Sequence, residues 1–344
     1  MKQIPIEVAN RYCVTIGHGV LQQLAHTIRQ QTRANRVCIV SDCHVSAIYA
    51  GQVCAQLQDS GFQVSQFLFS AGEQSKNCDT YMKLLNFLAE NQLDRGDCLV
   101  ALGGGVTGDL AGFAAATYLR GICYIQVPTS LLAMVDAAVG GKTGIDLAAG
   151  KNLCGAFWQP VAVLCDLDVL NTLPHQAFLD GCAEIIKYAI LFDPALFEHL
   201  EQTGLQFDRE FVINRCVAWK GRIVAEDEKE SGRRMLLNLG HTFGHGIEAC
   251  SHYTISHGRA VAIGTAMICR AARCADTDRI VSLLQQFDLP QTVHFSPEEI
   301  FTHTLSDKKR KSGSFRMILP RAIGDCAIQS VDADTLIHMI EEGL

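Results

Sequence analysis

The chain has 344 residues, of which 48% are hydrophobic, and a formal net charge of −7 at pH 7. This length predicts two domains rather than one, and the composition supplies enough apolar side chains for sizeable cores. The negative balance disfavours a general nucleic-acid or anionic-membrane surface, so an anionic ligand needs a local cationic pocket. No apolar run approaches the roughly 18–20 residues of a membrane span. The alternating first residues predict a strand and not a signal peptide.

Fifteen cysteines are spread along the chain, and no two are closer than five residues. This spacing excludes CxxC redox or zinc pairs. Most of the cysteines lie in apolar runs such as RVCIV and DCLVAL, where a thiol behaves as a small buried hydrophobe. Reduced cysteines without a secretion signal predict a cytoplasmic protein.

Strand and helix patterns alternate from about residue 35 onwards. The predicted strands are RVCIVSD, FQVSQFLF, CLVALGG and ICYIQVP. The helices between them are VSAIYAGQVCAQLQDSG, CDTYMKLLNFLAENQLD and VTGDLAGFAAATYL. This alternation predicts a parallel sheet covered on both faces. After about residue 168 helical periodicity dominates almost to the end, so we predict an α/β domain at 1–165 and a mostly helical domain at 166–344.

Two features follow predicted strands and suggest a ligand-binding edge. LGGGVTGD, residues 102–109, opens a helix whose backbone N–H groups can surround a diphosphate, although such a turn can also serve only tight packing. Asp42 can bind a ribose hydroxyl or cap the next helix. In GEQSKN, Glu73 and Lys76 are three apart, which by itself favours a helix-capping pattern.

The run VDAAVGGKTGID is not a nucleotide-binding P-loop, because that motif requires a glycine where Asp136 stands. We therefore predict Lys142 to be a cation on a flexible glycine turn. Lys151 and Arg120 are further cations in surroundings rich in glycine and alanine, a composition that argues against ordinary surface charges. Together they predict an anion-binding region at the seam between the two domains.

Three histidines in NLGHTFGHGIEACSHYTISHGRAVAIG predict a metal site. His241 and His245 are four apart and share a helix face, and His257 begins the next helical pattern. Upstream, Glu184 offers a carboxylate, with Lys187 on the same helix face. One carboxylate and two imidazoles leave a coordination position open, which is typical of a catalytic zinc site.

Further polar groups surround this pattern. HTFGH has Thr242 where a zincin helix has glutamate, so a metalloprotease is disfavoured. Lys220 and Arg234 flank EDEKESGR, Asn238 precedes the histidines, and DKKRKSGSFR is either a solvated or a ligand-binding basic loop. A glycine loop, an open metal site and many cations together predict a small, highly anionic substrate that carries phosphate and carboxylate.

The runs GGGVTGDLAGFAAATYLRG, IQVPTSLLAMVDAAVGGKTGID, GKNLCGAFWQP and LNLGHTFGHGIE closely resemble the 3-dehydroquinate synthase family, and the match extends from about Asp42 to Gly324. The resemblance implies a Rossmann-like NAD-binding domain, a helical metal-binding domain, a homodimer and one Zn²⁺ or Co²⁺ per subunit. It also implies a lyase that converts 3-deoxy-D-arabino-heptulosonate 7-phosphate to 3-dehydroquinate and phosphate. The implied steps are transient oxidation by NAD⁺, phosphate elimination, re-reduction, ring opening and an internal aldol reaction.

The resemblance also implies roles for individual positions. The implied metal ligands are Glu184, His241 and His257. The implied NAD contacts are Asp42, Ala71, Gly72, Glu73, Gln74, Ser75, Lys76, Gly105, Val106, Thr107, Gly108, Asp109, Thr129, Ser130, Lys142, Lys151, Val169, Leu170, Asn171 and Thr172. The implied substrate and catalytic groups are Asp136, Lys142, Asn152, Lys187, Lys220, Arg234, Asn238, His245, either Lys308 or Lys309, and Arg120, which in this family reaches the neighbouring subunit's site. We assign proton transfer to His245.

Three alternatives stay open. Another sugar-phosphate cyclase, such as an aminodehydroquinate synthase, has a nearly identical site. An iron-group alcohol dehydrogenase would accumulate NADH and would have an aspartate ligand in place of Glu184. A non-catalytic relative would lack a metal ligand or a pocket cation. The chain also reads GID at 144–146, where the family more often has GIN. Finally, we expect Lys187, as a helix-surface lysine, to matter far more for turnover than for folding.

Overall fold

The computed structural model of the chain describes residues 1–308 and 314–344, apart from the side chains of 305–308. The chain separates into two compact units. Unit 1 comprises Met1–Pro174 and Lys220–Lys229, and unit 2 comprises His175–Trp219 and Glu230–Leu344. The division therefore falls after Pro174, whereas the predicted boundary lies between 165 and 166.

The return of Lys220–Lys229 to unit 1 rests on long-range contacts. The Glu228 carboxylate accepts hydrogen bonds from the Ala9 backbone N–H at 3.3 Å and from Gln159 Nε2 at 2.9 Å. Such contacts join positions that are far apart in the chain, so composition and periodicity gave no sign of this discontinuous segment.

The strands of unit 1 are β1 (Lys2–Ile6), β2 (Tyr12–Gly17), β3 (Arg36–Asp42), β4 (Gln63–Phe69), β5 (Cys98–Gly103), β6 (Cys123–Pro128), β7 (Lys142–Leu147), β8 (Gly150–Phe157) and β9 (Ala162–Asp166). Seven of them form one sheet in the order β1-β2-β9-β6-β5-β3-β4. Only β1 and β2 pair antiparallel in this sheet. Strands β3, β4, β5, β6 and β9 have a doubly wound order whose switch point lies between β3 and β5. The predicted parallel α/β sheet is confirmed.

Four helices cover this sheet: α1 (Leu24–Gln31), α2 (Cys43–Asp59), α3 (Cys78–Glu90) and α4 (Gly105–Thr117). Alternate residues of β3 face opposite cores. Val37 and Ile39 pack with side chains of α1 and α2, whereas Cys38 and Val40 pack with side chains of α3 and α4. Because both faces are covered, the central strands read as unbroken apolar runs. Each large aliphatic side chain buried in this way stabilises the folded protein by roughly 1.5–3 kcal/mol.

β7 and β8 form a separate antiparallel pair. The prediction of Lys142 on a flexible glycine turn is wrong, because Lys142 begins β7 opposite Phe157. The turn residues are Gly140 and Gly141, with φ of 102° and 68°. A Cβ on Gly155 would lie only 2.1 Å from the Thr143 carbonyl oxygen, so glycine permits the close approach of the two strands. The glycines needed for this approach hide the alternating pattern of a strand.

Unit 2 is mostly helical, as predicted. Its helices are α5 (His175–Phe192), α6 (Pro194–Thr203), α7 (Arg209–Glu226, which ends in unit 1), α8 (His241–Cys250), α9 (His257–Ala271), α10 (Thr277–Gln286), α11 (Pro297–Lys308) and α12 (Ala333–Gly343). The antiparallel strands β10 (Phe315–Ala322) and β11 (Asp325–Val331) interrupt the helical series before α12. Among the described residues, no helix is long and apolar enough to cross a membrane.

Candidate functional site

The predicted NAD contacts of unit 1 lie mainly where parallel strands end. Asp42 ends β3, and the segments after β4, β5, β6 and β9 hold Ala71–Lys76, Gly105–Asp109, Thr129 with Ser130, and Val169–Thr172. The carboxyl ends of parallel strands share one edge of the sheet, and open α/β sheets bind ligands at this edge. Topology thus brings together groups that are far apart in sequence.

Asp42 acts as a helix cap. Its Oδ1 accepts hydrogen bonds from the backbone N–H groups of His44 at 2.9 Å and Val45 at 3.0 Å. The capping alternative from the sequence is therefore confirmed. The second alternative, a contact with ribose, stays a prediction.

In the glycine loop after β5, some glycines permit close packing, and others leave space at the start of α4. A Cβ on Gly103 would lie 2.3 Å from Thr107 Oγ1, and one on Gly108 would lie 2.6 Å from Gln126 Oε1, so both glycines serve close packing. Gly104, the N-cap residue of α4, has no side chain that caps the helix. A Cβ on Gly104 or Gly105 would make only ordinary contacts at 3.5 Å. The positive end of the α4 dipole therefore opens at the carboxyl edge.

Lys76 is buried and forms the centre of a polar cluster in unit 1. Its Nζ lies 3.0 Å from Glu73 Oε1 and 3.2 Å from Asp109 Oδ2, and it donates to Asn152 Oδ1 at 2.8 Å. The capping interpretation of Glu73 and Lys76 is wrong, because Asn77 caps α3 by accepting from the Thr80 N–H. The cluster instead unites predicted cofactor groups with Asn152, a predicted substrate group.

Sequence analysis missed Asp146, which supports this cluster. Asp146 Oδ1 accepts from the Asn152 backbone N–H at 2.7 Å and lies 3.9 Å from Lys76 Nζ. Burial alone would lower the pKa of Lys76, but Asp109, Glu73 and Asp146 together raise this pKa to about 12. Burial raises the pKa of the Asp109 carboxyl to about 6, against the lowering effect of Lys76. The departure from GIN to GID was the available signal for Asp146.

The other predicted cations of unit 1 differ in burial. Arg120 and Lys142 are exposed, and Lys151 keeps 28% of its side chain exposed while its Nζ lies 3.7 Å from Glu73 Oε1. The expectation that their surroundings exclude surface charges is wrong for Arg120 and Lys142. In contrast, Lys220 is buried, and its Nζ lies 3.0 Å from Oδ1 of Asp136, another predicted substrate group.

In unit 2, three helices bring the predicted metal ligands together. Glu184 of α5 is 1% exposed, and its Oε1 lies 3.5 Å from His241 Nε2 and 3.6 Å from His257 Nε2. One ligand atom from each of the three residues lies within 4.8 Å of the others. His245 lies outside this group, with its ring centre 5.5 Å from that of His241.

Glycines allow the helices of this cluster to approach one another. A Cβ on Gly264 of α9 would lie 2.1 Å from the Gly240 carbonyl oxygen, at the start of α8. A Cβ on Gly258 would lie 2.3 Å from Cα of Asp180 in α5. Asp180 also accepts a hydrogen bond from Ser256 Oγ at 2.6 Å, directly before His257. These contacts set the positions of α8 and α9, and thereby those of their histidines.

Lys187 is not a helix-surface lysine. It is 1% exposed, because α5 is buried on nearly every side from Phe178 to Leu191. Its Nζ forms an ion pair with Oε2 of Glu184, the oxygen that is not nearest the histidines. The expectation of a small contribution to stability therefore rested on a wrong premise.

The cluster has the donor chemistry of a divalent-metal site. Burial, together with Lys187, lowers the pKa of His241 to about 3, and metal ligation requires a neutral imidazole. Burial opposes charge on His257, but the carboxylates of Glu184 and Glu248 raise its pKa to about 10. These carboxylates favour a positive charge at this position. One carboxylate with two imidazoles is a ligand set suited to Zn²⁺ or Co²⁺.

Two further predicted groups of unit 2, Arg234 and Asn238, lie close together in the chain. Arg234 is 1% exposed and lies in a 3₁₀ segment with Asn238, whose Nδ2 donates to Glu230 Oε1 at 3.1 Å. The side chain of Lys308, and Lys309 as a whole, lie outside the described residues. Sequence analysis missed Glu230 and Glu248. The spacing of Glu248, seven residues after His241 on one helix, could have revealed it.

Comparison with known proteins agrees with this architecture. Residues 66–180 match the family model of the 3-dehydroquinate synthase N-terminal domain, and 181–310 match that of the C-terminal domain. The chain is 45% identical to a 3-dehydroquinate synthase of Pelobacter propionicus, with 96% of each chain covered.

Two solved structures are also similar. A 2-deoxy-scyllo-inosose synthase complexed with carbaglucose-6-phosphate, NAD⁺ and Co²⁺ is 26% identical, with a TM-score of 0.90 and all of both chains covered. A 2-epi-5-epi-valiolone synthase of Streptomyces hygroscopicus subsp. jinggangensis 5008, with NAD⁺ and Zn²⁺ bound, is 27% identical, with a TM-score of 0.86 and 96% of both chains covered.

The chain thus has the fold of the sugar-phosphate cyclases, with a doubly wound sheet unit and a helical unit. Its helical unit holds the cluster of Glu184, His241 and His257. Within that class, the full-length identity and the two family models assign the chain. It belongs to the 3-dehydroquinate synthase family of enzymes.

Proposed function

We propose that this chain converts 3-deoxy-D-arabino-heptulosonate 7-phosphate to 3-dehydroquinate and phosphate, as a carbon–oxygen lyase acting on phosphates. The observation that carries the proposal is the cluster of the buried Glu184 with His241 and His257, in which Lys187 forms an ion pair with Oε2 of Glu184. It occurs in a chain that is 45% identical to a 3-dehydroquinate synthase over 96% of its length.

We propose that the carboxyl edge of unit 1 binds NAD⁺. The start of α4 offers backbone N–H groups and a positive dipole end for a diphosphate. Asp42 uses Oδ1 to cap α2, so a ribose hydroxyl would bind its Oδ2. The Lys76 cluster holds the segments after β4 and β5 together through the contact with Asp109. When bound, NAD⁺ supplies a reversible hydride acceptor, and the metal ion supplies a Lewis acid.

We propose that Zn²⁺ or Co²⁺ binds Glu184, His241 and His257. Lys187 keeps the Glu184 carboxylate ionised and oriented, since both groups are buried and in contact. His245 lies on the same helix face as His241 without joining the ligand group. This position supports the proposal that His245 moves a proton near the substrate hydroxyl groups.

We propose that buried cations of each unit neutralise the anionic substrate. In unit 2 these are Lys187 and Arg234, each 1% exposed, with Asn238 as a hydrogen-bonding group. In unit 1 the buried cation is Lys220, which pairs with Asp136, and the exposed Lys142 adds a second positive charge. Fixed cations stabilise the charge of departing phosphate better than water does, because they need no reorganisation.

The test is a reaction of purified protein with the heptulosonate phosphate, NAD⁺ and Zn²⁺ or Co²⁺, in which phosphate, product and NADH absorbance are followed together. Stoichiometric phosphate, 3-dehydroquinate and no lasting NADH are expected, because the hydride returns to the product. Steady accumulation of NADH would instead assign the chain to the dehydrogenases. The variants Glu184→Gln and His245→Ala should lose most of the phosphate release.

Other cyclases are tested with their own substrates. Glucose 6-phosphate, sedoheptulose 7-phosphate and the amino analogue of the heptulosonate phosphate should be turned over poorly in parallel assays. Preferred turnover of any of them would replace the proposed substrate within the same class of enzyme.

We also propose a homodimer in which Arg120 contributes to the partner's site. Arg120 is exposed and is held at a φ of 69°, a backbone conformation that few non-glycine residues adopt. Analytical ultracentrifugation should give a dimer, and Arg120→Ala should lower turnover without dissociating it. A fully active monomer would exclude this role.

A further inference from the structure

Glu248 is a buried carboxylate close to His257 and has no role in the function proposed above. It lies on α8 and is 3% exposed. Its Oε2 lies 3.4 Å from Nδ1 of His257. The other ring nitrogen of His257, Nε2, lies 3.6 Å from Oε1 of Glu184. The two nitrogens of one imidazole therefore face two different buried carboxylates.

His241 has the corresponding arrangement with a neutral partner. Its Nδ1 lies 3.1 Å from the backbone carbonyl oxygen of Leu239, and its Nε2 lies 3.5 Å from Glu184. In both histidines Nδ1 thus has an oxygen acceptor while Nε2 faces the proposed metal position. Of these two histidines, only His257 has a charged acceptor at Nδ1. Glu248 therefore acts on one of the two histidines and not on the other.

We infer that Glu248 is a positioning residue for the metal site. This inference rests on the proposed binding of a metal ion by Glu184, His241 and His257. Glu248 accepts a hydrogen bond from the Nδ1–H group of His257, so the neutral imidazole keeps its lone pair on Nε2, directed towards Glu184. A carboxylate acceptor also makes the imidazole a stronger electron donor and fixes the orientation of its ring.

The packing of α8 makes this role possible. His241, His245 and Glu248 are spaced at i, i+4 and i+7, which places them on one face of the helix. That side of α8 lies towards the start of α9. A Cβ on Gly244 of α8 would lie 3.1 Å from the carbonyl oxygen of Ala260 in α9, so the glycine permits this close contact. A single helix thus supplies one ligand and the acceptor that orients another.

A second arrangement of the same groups must be distinguished. Ligand atoms of His245, Glu248 and His257 also lie within 4.8 Å of one another. In that arrangement Glu248 would itself bind a metal ion. Because His257 belongs to both groups and its Nε2 faces Glu184, the structure assigns Nε2 to the metal and Nδ1 to Glu248.

The experiment uses the full-length protein, stripped of metal by a chelator and titrated with Co²⁺. The test variant is Glu248→Gln, which keeps the size of the side chain and removes its charge. The matched control is Asp193→Asn, an acid-to-amide change at a buried carboxylate of the same unit whose partners are Arg215 and Trp219. Thermal unfolding in chelator measures the structural cost of each change separately.

We expect Glu248→Gln to weaken Co²⁺ binding about 10–100-fold and to alter the visible absorption of bound Co²⁺. Asp193→Asn should lose stability without either effect, and Glu248→Asp should recover part of the affinity. Wild-type affinity and spectrum in Glu248→Gln would overturn the inference alone. Two Co²⁺ per wild-type chain, with one lost in Glu248→Gln, would make Glu248 a ligand and also overturn it. A wild-type chain that binds no Co²⁺ would overturn the proposed metal function as well.

Discussion

Lys187 and Glu184 form a buried ion pair in which the two oxygens of the carboxylate have different neighbours. Oε2 of Glu184 contacts the Lys187 ammonium, and Oε1 faces the imidazoles of His241 and His257. Both side chains are 1% exposed. Lys187, three residues after Glu184 on α5, therefore fixes which carboxylate oxygen would be available to the proposed metal ion.

Replacement of Lys187 by methionine should destabilise the protein as well as inactivate it. Loss of one partner from a buried pair leaves an uncompensated charge and costs about 3–5 kcal/mol. Urea unfolding in chelator measures this loss. Lys83→Met, at an exposed position of α3, is the control and should change stability by less than about 0.5 kcal/mol. If Lys187→Met folded as stably as this control, the buried pair would have no structural role.

The same comparison can be made in unit 1 with Lys76 and Lys151. The Lys76 side chain is 5% exposed and lies within 4.0 Å of three carboxylates, whereas that of Lys151 is 28% exposed. Lys76→Met should cost about 3–5 kcal/mol, and Lys151→Met less than about 1 kcal/mol. Urea unfolding of both variants provides the measurement. Similar losses would show that burial does not decide the strength of these ion pairs.

Asp109 should make stability fall as pH rises through weakly acidic values. Its pKa is raised from 3.8 to about 6 in the folded protein, so the folded state binds this proton more tightly than the unfolded state does. The resulting stability is fully present below pH 3.8 and is lost as pH rises to about 6. The total loss in the free energy of unfolding is on the order of 3 kcal/mol.

Asp109→Asn isolates this effect, because the variant lacks the titrating carboxyl. The stability of Asp109→Asn relative to wild type should therefore increase between these two pH values and stay constant above them. Urea unfolding across this range measures the difference, in which other titrating groups cancel. A difference independent of pH would contradict the raised pKa.

Gly258→Ala should disturb the arrangement of Glu184, His241 and His257 through packing alone. The added Cβ would lie 2.3 Å from Cα of Asp180, so the start of α9 must move away from α5 and carry His257 with it. We expect a loss of about 1–3 kcal/mol from overpacking and weaker Co²⁺ binding. The control Gly51→Ala, in the middle of α2 with open space around its Cβ, should be stabilising by about 0.5–1 kcal/mol. Unchanged Co²⁺ affinity in Gly258→Ala would mean that α9 adjusts without moving His257.

Local periodicity was enough to predict much of the fold. The strands and helices from β3 to β6 follow the predicted segments, because unbroken apolar runs and helical spacing are local properties of the chain. The β7–β8 pair was missed, since the glycines that permit its close approach remove the alternation of side chains. The β10–β11 pair was missed too.

The sequence by itself determined the helix that places His241 and His245 on one face, the start of α9 at His257, and the glycine-rich turn after β5. These features depend on spacing within a single element. Only the tertiary structure decided that Lys187 is buried, that Lys76 contacts Asp109 and Asn152, and that Glu248 faces His257. Burial and charge pairing arise where separate elements pack together, and the distance between two groups in the chain does not specify their distance in the fold.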